Sequence, residues 1–159
     1  MAISIRRSTN EDLPQVLALI HELAVYEKAP DEVNVTLDIL QNDAENGLFR
    51  IFMAEEEGRF VGMALYYFGY STWKGKMMYL DDLVVTESHR KKGVGKLLFD
   101  ALIEEAKVEG AQQVRWHVLD WNEPAIKFYE KIDAELDPEW ITGKMNRDQI
   151  EEYKAGPWE

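Results

Sequence analysis

The order of apolar and polar residues changes its period along the chain, and each period predicts one type of element. Apolar and polar residues alternate over 3–5, which predicts a short first strand. From Leu13 onward apolar residues recur every three or four positions, which predicts a helix that ends near Tyr26–Lys28, before Pro30. A second helix is predicted over 36–47, between a capping threonine and a glycine.

The middle of the chain has the pattern of consecutive strands. Strands are predicted over 48–55, 60–70 and 76–85, and the second of these is rich in aromatic residues. Residues 56–59, Glu-Glu-Gly-Arg, have the composition of a hairpin turn between the first two strands. We therefore expect antiparallel pairing in this part of the chain.

The second half returns to helical spacing and then alternates again. A helix is predicted from Val94, with Gly110 as its C-terminal cap, and a strand is predicted over 114–119. Asn122 is expected to cap a further helix. A last strand is predicted over 140–145, followed by a short polar helix. The apolar face of the helix that begins at Val94 consists of Val94, Leu97, Leu98, Ala101, Leu102 and Ala106.

The order β-α-α-β-β-β-α-β-α-β predicts an α/β (α+β) fold with a mixed sheet and helices on both faces. The chain has 159 residues and contains no repeat, low-complexity segment or linker. We therefore expect a single domain over 1–159. Apolar residues make up 46% of the chain, which is enough for a hydrophobic core.

Composition narrows the class of protein. The net charge of -12 argues against a nucleic-acid-binding module, because such modules need a basic surface. The absence of cysteine excludes disulfides, thiolate metal sites and a cysteine nucleophile. The first residues, MAISIRRSTNEDL, show no apolar signal segment, and no apolar run is long enough to cross a bilayer. We therefore expect a cytoplasmic protein without a nucleic-acid or membrane partner.

One stretch departs from the acidic average. SHRKKGVGKLLFDAL, over 88–102, places four cations around two glycines at the start of a predicted helix. The free N–H groups and the dipole of a helix start attract an anion, and glycine lets a phosphate approach the backbone. The stretch lacks the P-loop pattern and fails the dinucleotide fingerprint at its last position, so neither a nucleoside triphosphate nor NAD is expected. The cations and glycines are Arg90, Lys91, Lys92, Lys96, Gly93 and Gly95.

The stretch RKKGVG, over 90–95, resembles the [QR]-x-x-G-x-[GA] pyrophosphate loop of the GNAT acetyltransferase superfamily. Longer stretches resemble its diamine branch, which includes spermidine/spermine and thialysine acetyltransferases. They are ELAVYEKAPDEV over 22–33, YSTWKGKMMYLDDLVV over 70–85 and VLDWNEPAIKFYEKI over 118–132. The resemblance implies a GNAT fold with a mixed, mostly antiparallel sheet of six to seven strands and helices on both faces. It also implies acetyl-CoA as the acetyl donor.

The resemblance further implies how acetyl-CoA is held. The loop amides over 90–95 would bind the pyrophosphate, and the strand backbone over 83–85 would pair with the pantetheine arm. Asn122, a helix cap in any case, would contact the same arm. The implied coenzyme-binding residues are Leu83, Val84, Val85, Arg90, Lys91, Lys92, Gly93, Val94, Gly95, Lys96, Asn122, Phe128 and Lys131.

Catalytic roles follow from the same resemblance. Tyr129 stands where the family has its general acid, and a phenol can protonate the departing thiolate. Asp81 stands where related enzymes usually carry a glutamate that deprotonates the amine through water. Asp82 is adjacent on the same strand, so the two carboxylates are expected on opposite faces. In the structural alternative, Tyr129 is an aromatic residue that packs on an amphipathic helix, and the two aspartates are carboxylates of an edge strand that reduce aggregation.

The acceptor is expected to be a small cationic amine. By resemblance, Glu27, Trp73, Asp81 and Asp82 would bind it, the carboxylates by charge and the indole by cation–π attraction. Polyamine-acetylating members commonly have Asp-Pro before the tryptophan, whereas this chain has Ser-Thr over 71–72. A thialysine- or lysine-like acceptor is therefore favoured over spermidine.

Direct transfer in a ternary complex is expected, because the chain has no cysteine and no G-x-S-x-G motif for an acyl-enzyme. A protein or peptide acetyltransferase and a non-catalytic acyl-CoA sensor are the alternatives. Family members often form homodimers, and the strand predicted over 140–145 could be exchanged between subunits. No metal is expected, because His21, His89 and His117 are scattered along the chain.

Overall fold

The strands of the computed structural model, which describes residues 2–157, form one five-stranded sheet. They lie side by side in chain order, and neighbours are antiparallel except for the last pair, which is parallel. The sheet is therefore mixed and mostly antiparallel, as predicted. The strands are β1 (Ser4–Arg7), β2 (Arg50–Glu56), β3 (Arg59–Ser71), β4 (Gly75–Val85) and β5 (Gln113–Arg115).

Five α-helices accompany these strands in the described part of the chain. They are α1 (Leu13–Tyr26), α2 (Leu37–Glu45), α3 (Val94–Val108), α4 (Glu123–Lys131) and α5 (Arg147–Glu152). The chain forms two compact units, residues 1–119, with all five strands, and residues 120–159, with α4 and α5. Within the first unit, α3 provides the crossover that the parallel strands β4 and β5 require.

One face of the sheet packs against α1 and α2. The apolar positions of α1 recur at helical spacing, so one stripe of the helix is buried against alternate residues of the strands. Met63, Leu65 and Val84 belong to this face of β3 and β4. Burial of such a cluster is the main stabilising term of the fold. Its buried members are Leu13, Val16, Leu19, Leu40, Ile51, Met53, Met63, Leu65 and Val84.

The other face of the sheet carries α3 and a buried acid. The Tyr66 hydroxyl on β3 donates a hydrogen bond of 2.7 Å to Glu105 Oε2 on α3. Arg7 forms an ion pair with the same carboxylate, and Arg50 lies 3.8 Å from its other oxygen. Burial and the Glu105 carboxylate raise the pKa of Tyr66 well above its ordinary value. Glu105 is 5% exposed, and these contacts compensate the cost of burying its charge.

Gly62 marks the closest approach of α3 to the sheet. A Cβ atom at this position would lie 2.7 Å from the backbone oxygen of Val84 and 3.2 Å from Leu98 Cδ1. Val94 Cγ1, in the first turn of α3, would be 3.4 Å away. The start of α3 is therefore seated on a position where only glycine fits.

The predicted helix ends are confirmed. Gly110 has φ +70° and follows α3 as its C-terminal cap. Its N–H donates to the Lys107 carbonyl, and the N–H of Ala111 donates to the Ala106 carbonyl, which is the Schellman pattern. Thr36 caps α2, since its side chain accepts a hydrogen bond of 3.3 Å from the Ile39 N–H.

Two predicted strands differ from the structure. The described residues contain five strands rather than six to seven, because residues 140–145 form no strand. Trp140 and Ile141 are 70% and 95% exposed, and an alternating pattern forms a strand only where a neighbouring strand supplies hydrogen-bond partners. The strand predicted over 114–119 is reduced to β5, because its pairing with β4 ends at Arg115.

Gly62→Ala should destabilise the first unit by about 1–3 kcal/mol, because the new methyl group meets a backbone carbonyl that cannot rotate away. Urea unfolding followed by tryptophan fluorescence measures the change. Gly143→Ala is the matched control, because a Cβ at Gly143 has no neighbour within 4 Å and its φ is not positive. Equal stability of the two variants would contradict the close approach at position 62.

Candidate active site

A β-bulge in β4 determines where its two adjacent aspartates face. Leu65 pairs with Asp82 and Tyr66 pairs with Leu80, so Asp81 is an extra residue without a cross-strand partner. Leu65 and Tyr66 face opposite sides of the sheet, and therefore Leu80 and Asp82 do so as well. The bulge interrupts the alternation on which the prediction of opposite faces for Asp81 and Asp82 rested. That prediction is wrong, and Asp82 shares the α1 face with Leu65.

Three carboxylates are clustered on this face. Glu27 directly follows α1, and its pKa is raised by burial and by the charge of Asp81. Burial, reinforced by the charges of Asp81 and Glu27, raises the pKa of Asp82 to about 7. The pKa of Asp81 is raised by burial, while His117 acts in the opposite direction. The cluster therefore attracts cations and contains a carboxyl group that can accept or release a proton near neutral pH.

Two tyrosines form an aromatic wall beside the carboxylates. The rings of Tyr67 on β3 and Tyr79 on β4 have centroids 5.2 Å apart. The pKa values of both hydroxyl groups are raised, first by burial and also by the charge of Asp81. The Tyr79 hydroxyl is hydrogen-bonded to Nδ1 of His117. Tyr67, Tyr79 and His117 were not predicted as site residues, although Tyr79 lies two positions before Asp81.

Trp73 lies in the hairpin turn between β3 and β4. The Ser71 hydroxyl accepts hydrogen bonds of 3.3 and 3.2 Å from the Trp73 and Lys74 N–H groups, which shapes this turn. The Trp73 side chain is 81% exposed. Asp81 follows Gly75 by six positions of β4, which is about 20 Å along a strand. The structure therefore brings Glu27, Asp81 and Asp82 together and leaves Trp73 at the far end of β4.

The predicted anion loop connects the end of β4 with α3. Gly93 is the N-cap of α3 and has φ +84°, a conformation that favours glycine. A Cβ at Gly93 would have no neighbour within 4 Å, and one at Gly95 would have only Val85 Cγ2 at 3.8 Å. The space beside the first-turn N–H groups is therefore open to a ligand. Lys91 and Lys92 are exposed on the same loop, and Lys96 pairs with Asp100.

Arg90 connects this loop to α1. Its Nε donates a hydrogen bond of 3.0 Å to the Val85 carbonyl, and its guanidinium lies 4.6 Å from the centroid of the Tyr26 ring. Its Nη2 is 3.9 Å from Glu22 Oε1. The side chain of Arg90 thus holds the loop against the helix that ends beside Glu27. The sequence offered no signal for this contact, because Tyr26 and Arg90 are distant along the chain.

The backbone beyond the β4–β5 pair is open on one side. The parallel pairing ends at Tyr79 and Arg115, while β4 continues to Val85. Leu83, Val84 and Val85 pair with β3 on their other side. Their β5-facing peptide groups have no strand partner among the described residues. The Val85 carbonyl accepts the hydrogen bond from Arg90 Nε, and the other groups can pair with an extended ligand in the way that an added strand would.

The remaining predicted site residues belong to the second unit. Asn122 caps α4 by accepting a hydrogen bond of 3.4 Å from the Ala125 N–H, as predicted. The rings of Phe128 and Tyr129 form an edge contact with centroids 5.4 Å apart. Lys131 is the last residue of α4.

Within 2–157 there is no group of three or more histidine, aspartate or glutamate side chains placed to hold a metal ion. None of the described helices combines the length and the apolar character needed to span a membrane.

Known proteins similar to this chain share one family. A model of the acetyltransferase (GNAT) family matches residues 13–133. A thialysine N-epsilon-acetyltransferase of Caenorhabditis elegans is 33% identical over 148 residues, covering 91% of this chain and 92% of that protein. A spermidine/spermine N(1)-acetyltransferase-like protein 1 of Homo sapiens is 31% identical over 158 residues, covering 92% of this chain and 23% of that protein. The solved structure of an integron cassette protein from the mobile metagenome of V. cholerae superposes with a TM-score of 0.77 at 25% identity, covering 95% of this chain and 96% of that one.

Asp82→Asn should change how stability depends on pH. The folded protein holds a proton on Asp82 up to a pKa of about 7, whereas an unfolded aspartate loses it near 3.8. Stability contributed by this proton is present below pH 4 and is lost as the pH rises to 7. The free energy of unfolding of Asp82→Asn, relative to that of the wild type, should therefore increase by about 1–2 kcal/mol between pH 4.5 and pH 8. This value is smaller than that of a fully buried group, because Asp82 is partly exposed.

Urea unfolding of both proteins at the two pH values measures this gain. Asp31→Asn, an exposed acid outside the cluster, provides the reference for removing one negative charge. The same stability difference between Asp82→Asn and the wild type at both pH values would rule out the raised pKa.

Proposed function

The chain belongs to the GNAT acetyltransferase family, and on that premise we propose that it transfers the acetyl group of acetyl-CoA to a small cationic amine, with a thialysine-like acceptor favoured. The observation that carries this proposal is the cluster of Glu27, Asp81 and Asp82. It combines negative charge with a carboxyl group whose pKa is raised to about 7. An ammonium acceptor needs both features, because it must be bound as a cation and then lose a proton.

Acetyl-CoA would be held by the loop over 90–96 and the open edge of β4 over 83–85. The open space at Gly93 and Gly95 supports pyrophosphate binding by the first-turn N–H groups of α3. Lys91 and Lys92 add positive charge on the exposed side of the loop. Asn122, Phe128 and Lys131 remain proposed contacts to the coenzyme. The bound thioester supplies an activated acetyl group.

The acceptor ammonium would be bound among the three carboxylates. None of them forms a salt bridge within the described residues, so their charges are available to a ligand. The faces of Tyr67 and Tyr79 add cation–π attraction at the same place. Trp73, on the exposed hairpin, would contact only the outer end of a long acceptor.

Transfer requires three proton movements. The ammonium, with a pKa of about 10.4 in solution, would give its first proton to the Asp81–Asp82 pair, directly or through water. The amine nitrogen then forms a bond to the acetyl carbon while the carbon–sulfur bond breaks. Tyr129 would donate its phenolic proton to the departing thiolate, and the second proton lost by the acylated nitrogen would restore the phenol. No acyl-enzyme is needed, so the transfer is proposed to occur within a ternary complex.

The choice of acceptor rests on two observations. Ser71 and Thr72 replace the Asp-Pro pair that is common in polyamine-acetylating members. In addition, the similarity to the Caenorhabditis elegans relative named for thialysine extends over 92% of that protein. A polyamine is the second candidate, supported by the human relative named for spermidine and spermine.

We also propose a homodimer in the cytoplasm. The exposed apolar side chains of Trp140, Ile141 and Met145 support an interface between copies, because such a cluster on a monomer marks an interaction site.

A screen of acceptors with acetyl-CoA, following CoA release, tests the proposed function. Thialysine should be the best acceptor by kcat/KM, lysine and spermidine should be weaker, and an uncharged peptide should be inactive. If the protein bound acetyl-CoA but acetylated no amine, the result would favour the alternative of a non-catalytic acyl-CoA sensor.

Glu27→Gln should raise the KM for the amine about tenfold and leave the KM for acetyl-CoA unchanged, because one of three charges is lost. Glu11→Gln, an exposed acid outside the cluster, should behave as wild type.

Tyr129→Phe should lower kcat by about 10²–10⁴-fold, the range expected for loss of a general acid. The dissociation constant of acetyl-CoA should change less than twofold, because the ring is retained. Phe128→Leu is the comparison for disturbed packing, since Phe128 is the ring neighbour of Tyr129. A kcat for Tyr129→Phe within threefold of wild type would remove Tyr129 from the mechanism.

A further inference from the structure

We propose that His117 is a positioning residue of the acceptor site, that it acts through the Tyr79 hydroxyl, and that its protonation weakens the capture of a cationic acceptor. This inference rests on the proposed function for the identity of the acceptor. Its geometric basis is the hydrogen bond between the two side chains, which is independent of that function.

The hydrogen bond lies where β4 and β5 separate. Tyr79 and Arg115 are the last paired residues of the two strands, and His117 follows Arg115 by two positions. The Tyr79 and His117 rings have centroids 5.8 Å apart and are tilted by 55°, so they contact each other along their sides as well as through the hydrogen bond. This contact is the first link between the two segments beyond their paired backbones.

Tyr79 transmits the contact to the acceptor cluster. Its ring packs on Tyr67, and Asp81 follows it by two positions on the same strand. The charge of Asp81 acts on both tyrosine hydroxyls and is itself influenced by His117. Four residues, on two strands and the segment after β5, thus form one electrostatic unit. Tyr79 and Asp81 are coupled directly to His117. Tyr67 and Arg115 are coupled to it through Tyr79, and Glu27 and Asp82 through Asp81.

The charge of the imidazole decides the direction of the hydrogen bond. A neutral imidazole accepts the Tyr79 proton at Nδ1 and carries its own proton on Nε2. The lone pairs of the Tyr79 oxygen are then available to an acceptor ammonium. A protonated imidazole instead donates from Nδ1 to that oxygen, which turns the Tyr79 O–H away from His117. It also adds a positive charge beside Asp81 that opposes a cationic ligand.

Kinetics of four variants test this role. Tyr79→Phe and His117→Ala should each lower kcat/KM for the amine about two- to tenfold, the range for one hydrogen bond. The double variant should lose no more than the larger single effect, because both changes remove the same bond. The KM for acetyl-CoA should stay within twofold. His21→Asn, at an exposed position of α1, should match the wild type.

His117→Asn separates positioning from charge. Asparagine keeps a polar atom near the Nδ1 position but does not titrate between pH 5 and 8. At pH 8.5 its kcat/KM for the amine should lie within twofold of wild type. Toward acidic pH the wild type should lose more kcat/KM for the amine than His117→Asn does, because asparagine takes up no proton and gains no charge that opposes a cation. An equal loss in the two proteins, or additive losses in the double variant, would overturn the proposal.

Nitrogen-15 NMR of the histidine rings gives a readout that needs no turnover. The signal absent in His117→Asn identifies His117. In the wild type near pH 8 it should show the Nε2–H form, and Tyr79→Phe should convert it to a mixture of the two neutral forms. The same tautomer in Tyr79→Phe would contradict the inference. Absence of turnover by the wild type would instead refute the proposed function.

Discussion

The single extra residue in β4 is the constraint on which the site depends. Side chains of a strand alternate between the two faces, so one inserted residue changes the face of every residue on one side of it. In β4 the insertion at Asp81 allows Leu80 to face α3 and Asp82 to face α1, while Val84 still enters the apolar core beneath α1. Without it, Asp82 would point toward α3 and would be lost from the cluster with Glu27. The register of the sheet thus produces the acidic cluster.

Two kinds of buried acid occur in the first unit, and their partners distinguish them. Glu105 is surrounded by the Tyr66 hydroxyl and by Arg7, so its charge is compensated and it ties α3 to the sheet. Burial raises the pKa of Glu27 and of Asp82, and the charges that add to this effect among the described residues come from neighbouring carboxylates. Like charges that are buried together destabilise one another, and such clusters are typical of functional sites, where a ligand of opposite charge compensates them. The same physics therefore separates a structural acid from a binding site.

Local patterns predicted most of the fold, and the GNAT family resemblance and the mixed α/β class are confirmed. Helix ends depend on nearby residues, so caps such as Gly110 were predictable. The bulge at Asp81 was not, because register depends on how a strand pairs with a distant one. For the same reason the strand predicted over 140–145 is absent and β5 is short. The contacts of Arg90 and His117 join segments far apart in the chain, and no local pattern reports them.

The sheet also separates the proposed acceptor site from the residues that pack against α3. The carboxylates and Tyr67 lie on the α1 side of β3 and β4, whereas Gly62 and Tyr66 support α3 on the opposite side. Substitutions on the two sides share few neighbours, so their effects should be close to additive. Under the proposed function, acceptor preference can therefore diverge in an evolving lineage through residues of one face, while the packing beneath the loop over 90–96 is inherited unchanged.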